Sequence, residues 1–588
     1  MKTLLALVCL VFPLTSLAEA NKAVDLDSRR KALDSLLQEQ WEYVLRTNPE
    51  YASTLGDKRY NDRLRDFSQA FIDSDLRATA DFLRRFEAID TTGFPVQEQL
   101  NRRLMIRDLR LELEGARFKQ WEMPVRQNGG VHLAIPRSVR VWSFETVKDY
   151  EDYLSRLRQV PRLFDETMVQ MRNGMRDGLM PPRFLLGKIA GQCKEIAETK
   201  PEQSPLAQPL TKFPASFSEP DRKRLREAIL EAIRKDVNPA YRKLEAFVRK
   251  EYEPKGRTEV GVWSLPDGEA RYAYDVKLLT TSDLTPDQIH ELGLSEVKRI
   301  EGEMVEVAHR LGFKDLKSLN GSIPKNPSLH FSSRQQILDL YSKYISEMEA
   351  KLPRLFVRIP KARVTVLPVE KFEEKQASAA RYVEANPDGS RPGHVEVNTG
   401  DYEKRLTLDV ETTALHEGLP GHHLQIALAQ ELSGLPAFRR YGGYNAFDEG
   451  WALYAERLGR EVGSFSDPYS YYGHLQGEIW RAIRLVVDTG LHSKKWTRQQ
   501  VVDYFHAHSA IDEANVQSET DRYIAGPGQA LGYKVGQLKI LELRERAKQQ
   551  LGAKFDVRAF HDQVLGAGAL PLDVLEEQVQ AWIAAPKS

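Results

Sequence analysis

The chain has 588 residues, with 84 Lys+Arg against 84 Asp+Glu, 41% hydrophobic and 29% charged positions. Such a length holds several ordinary domains or one large helical enclosure. A formal net charge of zero argues against nucleic acid or an anionic membrane surface as the main partner, and the composition is that of an ordinary soluble globular protein.

Residues 1–20 read as a secretion leader: Lys2 supplies the positive start, Leu4 to Leu17 the apolar stretch, and Ala18-Glu19-Ala20 a small-x-small cleavage site. The apolar stretch is too short to span a bilayer. An exported mature chain, with the periplasm as its address and no membrane anchor, is therefore expected to begin near Glu19 or Asn21. Cys9 lies too early for a lipid anchor. Removal of the leader leaves Cys193 as the one cysteine, so stability must come from packing rather than from disulfides.

Residues 21–267 form an N-terminal helical region. Leu33, Leu36, Leu37 and Trp41 recur at helical spacing, and Asn48-Pro49 ends that run. Helices are predicted over 67–86, 96–113, 147–177 and 221–250. The intervening 129–144 reads as a loop with a short strand, and the proline-rich 199–214 as a surface excursion.

Residues 268–588 form the second region, which holds the motifs described below. Tyr272-Ala273-Tyr274 is a short strand candidate. Thr285-Pro286 caps a helix running to about Leu311, on which His290 and His309 read as packing or surface residues. Arg363 to Val369 alternates as a strand. Two further strands, 380–385 and 394–399, are joined by the turn Asn386-Pro387-Asp388-Gly389. Helices are expected over 467–492, 498–508 and up to about Gln550.

Between these elements lies the stretch that concentrates chemistry: His416-Glu417-Gly418-Leu419-Pro420-Gly421-His422-His423, answered by Asp448-Glu449-Gly450-Trp451. Three imidazoles and a carboxylate within eight residues are costly to bury unless something binds them. Zinc peptidases set two histidines at i and i+4 of a helix, with a glutamate as base. Here the second histidine comes at i+6 or i+7. On an unbroken helix the first is about 120° out of line and the second about 10 Å along the axis. Pro420 would clash with the carbonyl of His416, so the helix should bulge or restart there, with Gly418 and Gly421 giving the freedom to do so. Either His422 or His423 can then join His416. Glu449, 27 residues beyond His422 on a second helix, is the candidate third ligand, leaving a fourth position for water. Glu411, Asp448 and Asp488 are candidates for orienting the imidazoles.

These paired motifs resemble the bacterial family called "domain of unknown function 885", grouped with the helical, glutamate-ligand zinc metallopeptidases. Trp41-Glu42, Asn48-Pro49-Glu50, Pro286-Asp287, His290-Glu291-Leu292-Gly293, Arg522-Tyr523 and Pro527-Gly528-Gln529-Ala530-Leu531 match as well. The resemblance implies a mainly α fold: a large helical zinc-metallopeptidase-like enclosure with a deep cleft and a small β-sheet beside the catalytic helix. It implies zinc as cofactor and a peptide as substrate, with Glu417 as general base toward metal-activated water. Tyr523 and Tyr533, in the segment after the third ligand, are the candidates for stabilising the oxyanion. Arg522 is a candidate for a substrate carboxylate, against a structural ion pair with Glu519 or Asp521. Two other functions fit the same residues: a periplasmic binding protein that has lost turnover, and a zinc hydrolase of a non-peptide amide.

Overall fold

A computed structural model describes residues 14–585 except 370, 372–373, 375–376 and 388–390, and side chains from Asp25 onward. Residues 1–13 of the leader, and Asp388 and Gly389 of the turn, lie outside the described residues. The chain folds into two compact units.

The smaller unit takes residues up to Val44 and Ala70–Arg117. Helix α1 (Leu14–Thr47), α2 (Gln69–Glu87) and α3 (Val96–Ala116) supply it. Leu33, Leu36 and Leu37 of α1, Phe82 and Phe86 of α2 and Leu104 and Leu109 of α3 are buried, as their three- and four-residue spacing requires. The Tyr43 hydroxyl donates to Asp75 at 2.7 Å, and Arg30 pairs with Glu98 at 2.6 Å.

The larger unit takes Leu45–Gln69 and Phe118–Ser588, and so draws on residues from both sides of position 267. Its first core is built on α4 (Val147–Asp177), whose start is a capping box between Thr146 and Asp149. Two sequence expectations fail here. Residues 131–138 are helical rather than a loop with a strand. The proline-rich stretch after Thr199 is not a surface excursion: it forms short 3-10 turns that bury Leu206, Ala207, Pro209 and Leu210. Its carbonyls explain why. Pro209 and Leu206 accept the buried hydroxyls of Tyr150 and Tyr153 at 2.9 and 2.7 Å, which gives prolines, poor in donors themselves, a use in the interior.

The second core lies between α5 (Pro286–Arg310), capped by Thr285 as expected, and a later helix, Pro468–His492. Tyr272-Ala273-Tyr274 belongs to a helix, Gly268–Thr280, not to a strand. Two aromatics two apart fit the strand period, but burial of Arg271, Tyr272, Asp275 and Val276 together, four residues apart in pairs, is helical.

The three strands β1 (Thr365–Pro368), β2 (Ala380–Val383) and β3 (His394–Val397) form one sheet in the order β1-β3-β2. β3 runs parallel to β1 and antiparallel to β2. The expected hairpin is therefore β2–β3, and β2 keeps one edge unpaired within the sheet. The mainly α character and the small sheet agree with the sequence reading. Among the described residues no helix is long and apolar enough to cross a membrane.

Candidate metal centre

Helix α6 (Val410–Glu417) stops one residue after His416, and α7 (His422–Glu431) starts at the second histidine. The break falls at Pro420, as the clash argument requires. The chain doubles back so closely that a Cβ on Gly421 would lie 1.9 Å from the His416 carbonyl oxygen; only glycine fits. The Gly421 amide donates to the Leu415 carbonyl at 3.0 Å. Trp451, fully buried, donates its indole N–H to the Pro420 carbonyl at 2.9 Å. That bond ties the break to α8 (Asn445–Glu461), the helix that carries Glu449.

The fold thus brings His416, His422 and Glu449 together, each offering one ligand atom, all within 4.8 Å of one another. His416 Nε2 lies 3.7 Å and His422 Nε2 3.5 Å from Glu449 Oε2. These separations are too long for hydrogen bonds. They match the edge of a tetrahedron, roughly 3.4 Å when ligands sit about 2.1 Å from a zinc ion. The two imidazole rings stand perpendicular, at 89°, with centroids 4.8 Å apart. The donor set therefore fits zinc.

The tautomer of His416 is set from behind. Its Nδ1–H donates to Glu456 Oε1 at 2.7 Å, which turns Nε2 toward Glu449. Glu456 is fully buried and also accepts the Thr412 hydroxyl at 2.7 Å. Burial opposes charge on both partners. The Glu449 and Glu456 carboxylates nonetheless raise His416 to about 9, and Arg481 and His416 hold Glu456 down to about 2. Glu449 likewise stays well below the usual carboxylate range, against burial, because two imidazoles face it.

Glu456 was not among the acids expected to do this. Glu411 instead accepts the Phe465 amide and the Ser470 hydroxyl, at 3.0 and 2.6 Å. Asp488 accepts the Tyr272 hydroxyl at 2.7 Å and the Gly528 amide at 3.0 Å. Asp448 does lie in the electrostatic field of His422; burial lifts it to about 7 against that attraction. The signal for Glu456 is its spacing: seven residues after Glu449 on one helix returns to nearly the same face.

Of the other site candidates, Glu417 and Tyr533 join the cluster, whereas His423, Tyr523 and Arg522 do not. Glu417 follows His416, and its Oε2 accepts the Tyr382 amide of β2 at 2.8 Å. Tyr533 stacks on the His416 ring, centroids 6.4 Å apart and 15° from parallel. Burial and then the Glu449 charge push its phenol upward. His423 points away. One ring nitrogen pairs with the Tyr382 hydroxyl and the other with the Ala362 carbonyl, both at 3.1 Å, and burial lowers its pKa to about 4. The Tyr523 hydroxyl is already engaged, donating to Glu519 at 2.5 Å and accepting from Trp480 and Arg484 at 3.1 and 3.0 Å. Arg522 forms a bidentate pair with Glu519, both bonds 2.9 Å, and gives its remaining amino group to Gln529 at 2.6 Å. Of the two readings of Arg522, the structural ion pair with Glu519 is present. His492 accepts the Val262 amide and faces the Tyr523 carbonyl, both at 3.0 Å, a packing role.

A family model described as "Bacterial protein of unknown function (DUF885)" matches residues 49–579. No curated protein matches. The crystal structure of a "putative lipoprotein" from Colwellia psychrerythraea is similar over 94% of this chain and 99% of its own, with 31% identity and a TM-score of 0.90. A second, from Shewanella oneidensis and described as of unknown function, covers 93% of this chain and 99% of its own at 17% identity and a TM-score of 0.72. At that identity the likeness shows the fold alone.

Proposed function

The chain belongs to the DUF885 family of bacterial proteins, and from that premise we propose that it is an exported zinc-dependent peptidase. The observation that carries the reading is the His416–His422–Glu449 cluster, spaced for a metal and not for hydrogen bonds, with the charge of Glu417 acting on the His416 ring. His416, His422 and Glu449 would hold the ion, and zinc there supplies a Lewis acid that makes water reactive near neutral pH.

The protein's own groups do the rest. Glu417 takes the proton of the attacking water and returns it to the leaving amine. Tyr533, beside His416 and Glu449, donates its O–H to the carbonyl oxygen as charge develops there. An extended peptide adds to the unpaired edge of β2. In this hairpin the Ala379 carbonyl is bonded to Asn398 of β3. The amides of Ala380 and Tyr382, one register step on, therefore point to the outer edge; that of Tyr382 is given to Glu417, which leaves the Ala380 amide for the peptide. Main-chain pairing at such an edge binds peptides largely without regard to side chain.

Export rests on the leader at residues 1–20 and accords with the lipoprotein description of the Colwellia protein. The test is zinc stoichiometry together with hydrolysis of a mixed library of peptides, free or blocked at either end. One zinc per chain with cleavage supports the proposal. Zinc uptake with peptides bound and recovered intact would instead make it a binding protein, and absence of both zinc and cleavage would remove the proposal.

A further inference from the structure

On the wall beside Tyr533 two arginines face one carboxylate. Arg522 and Arg484 both pair with Glu519, the latter through Nη2 at 3.3 Å. Arg522 has its donors matched, as described above. Arg484 does not: Nε is given to the Tyr523 hydroxyl at 3.0 Å, Nη2 to Glu519, and Nη1 is buried with no partner. Its side chain is only 7% exposed. A buried guanidinium N–H without an acceptor is costly, more so on a charged group.

The position of this group relates it to the metal ligands. Its carbon lies 4.5 Å from the centroid of the Tyr533 ring, the same ring that stacks on His416 at 6.4 Å. Trp480, with Arg484 5.2 Å over its ring, and the half-buried Arg522 border it. An anion at Nη1 would occupy the empty donor, and a carboxylate suits a guanidinium best.

We infer that Arg484 is a specificity-determining residue that anchors the free C-terminal carboxylate of a peptide. This inference rests on the peptidase reading and names its substrate class. The two centroid distances bound the span from His416 to the guanidinium, and extended chain advances about 3.3–3.6 Å per residue. The bond cut would therefore lie no more than about three residues from the C-terminus, so the enzyme trims short pieces from carboxyl ends.

The experiment uses the zinc-loaded Glu417→Gln protein, which binds without cutting. N-acetyl-trialanine and its C-terminal amide are titrated against it by calorimetry. The acid should bind about 10- to 100-fold tighter, the worth of one charge-assisted hydrogen bond. Adding Arg484→Gln should abolish the difference, and Arg484→Lys, which keeps the charge and supports folding, should retain part of it. Equal affinity for acid and amide, or a preference that survives in both Arg484 variants, would overturn the inference. Hydrolysis by the wild type is followed in parallel. No cleavage of either peptide alongside an Arg484-dependent acid preference would remove the peptidase reading and still support Arg484 as the carboxylate anchor.

Discussion

Two buried clusters of charge lie side by side in the larger unit, and they are built by opposite rules. Around Glu478, three cations close on the carboxylate at hydrogen-bond distance, with Arg457 further out at 3.5 Å. Lys534 bonds Glu478 and Glu296, each at 2.9 Å, Arg299 bonds Glu478 at 2.9 Å, and Arg460 bonds it at 3.1 Å. Glu478 and Lys534 are fully buried, and the surrounding cations hold the Glu478 carboxyl far below its usual range despite burial. In the His416–His422–Glu449 cluster the nearest approaches are 3.5 and 3.7 Å, and His422 Nδ1 is buried without a partner. Consecutive residues of the helix Leu531–Leu551 divide between them: Tyr533 faces His416 of the open cluster and Lys534 the closed network. Saturated polar groups hold a fold together, whereas polar groups left just out of reach of one another are kept for something that binds between them.

Substitutions should separate the two. The largest effect is expected at the open cluster: Glu449→Ala or His416→Ala should lower zinc from about one ion per chain to near zero and abolish hydrolysis with it, read by metal analysis of the purified proteins. In the closed network, Glu478→Ala should leave zinc stoichiometry unchanged but strand Lys534, Arg299 and Arg460. That should cost about 3–5 kcal/mol of stability in denaturant unfolding. Loss of zinc at unchanged stability would erase the distinction. Glu456 joins the two, and Glu456→Gln should weaken zinc binding about 10- to 100-fold in a chelator competition, because the His416 ring loses the carboxylate that fixes its tautomer. The smallest effect belongs to His423. His423→Asn should change zinc affinity by less than about threefold, well under what any ligand supplies, while the same change at His422 should be severe.

Much of this was legible in the chain because local rules govern it. The Thr285-Pro286 cap, the β2–β3 hairpin and the break at Pro420 each depend on neighbours a few residues away. His416, Glu417 and Glu449 stood out for the same reason, as dense polar chemistry in an apolar setting. What could not be read depends on distant partners. His422 and His423 are adjacent, and the choice between them is made by Tyr382 and Ala362, some 41 and 61 residues away. Arg522 and Arg484 look alike as letters; Glu519 and Gln529 saturate one and leave an N–H of the other unmatched. Tyr272 reads as strand until the burial of its neighbours is known.

The central claim is that the open cluster holds zinc while Glu417 does chemistry without binding it, and one sample tests both halves. Glu417→Gln is nearly isosteric and keeps a polar group within reach of the Tyr382 amide. Zinc content and peptide turnover are measured on the same purified Glu417→Gln protein. The account predicts wild-type zinc and hydrolysis slowed by about 10²–10⁴, the worth of a positioned general base. Full zinc with unchanged turnover would contradict the mechanism, and loss of zinc would make Glu417 a ligand and undo the assignment of the cluster.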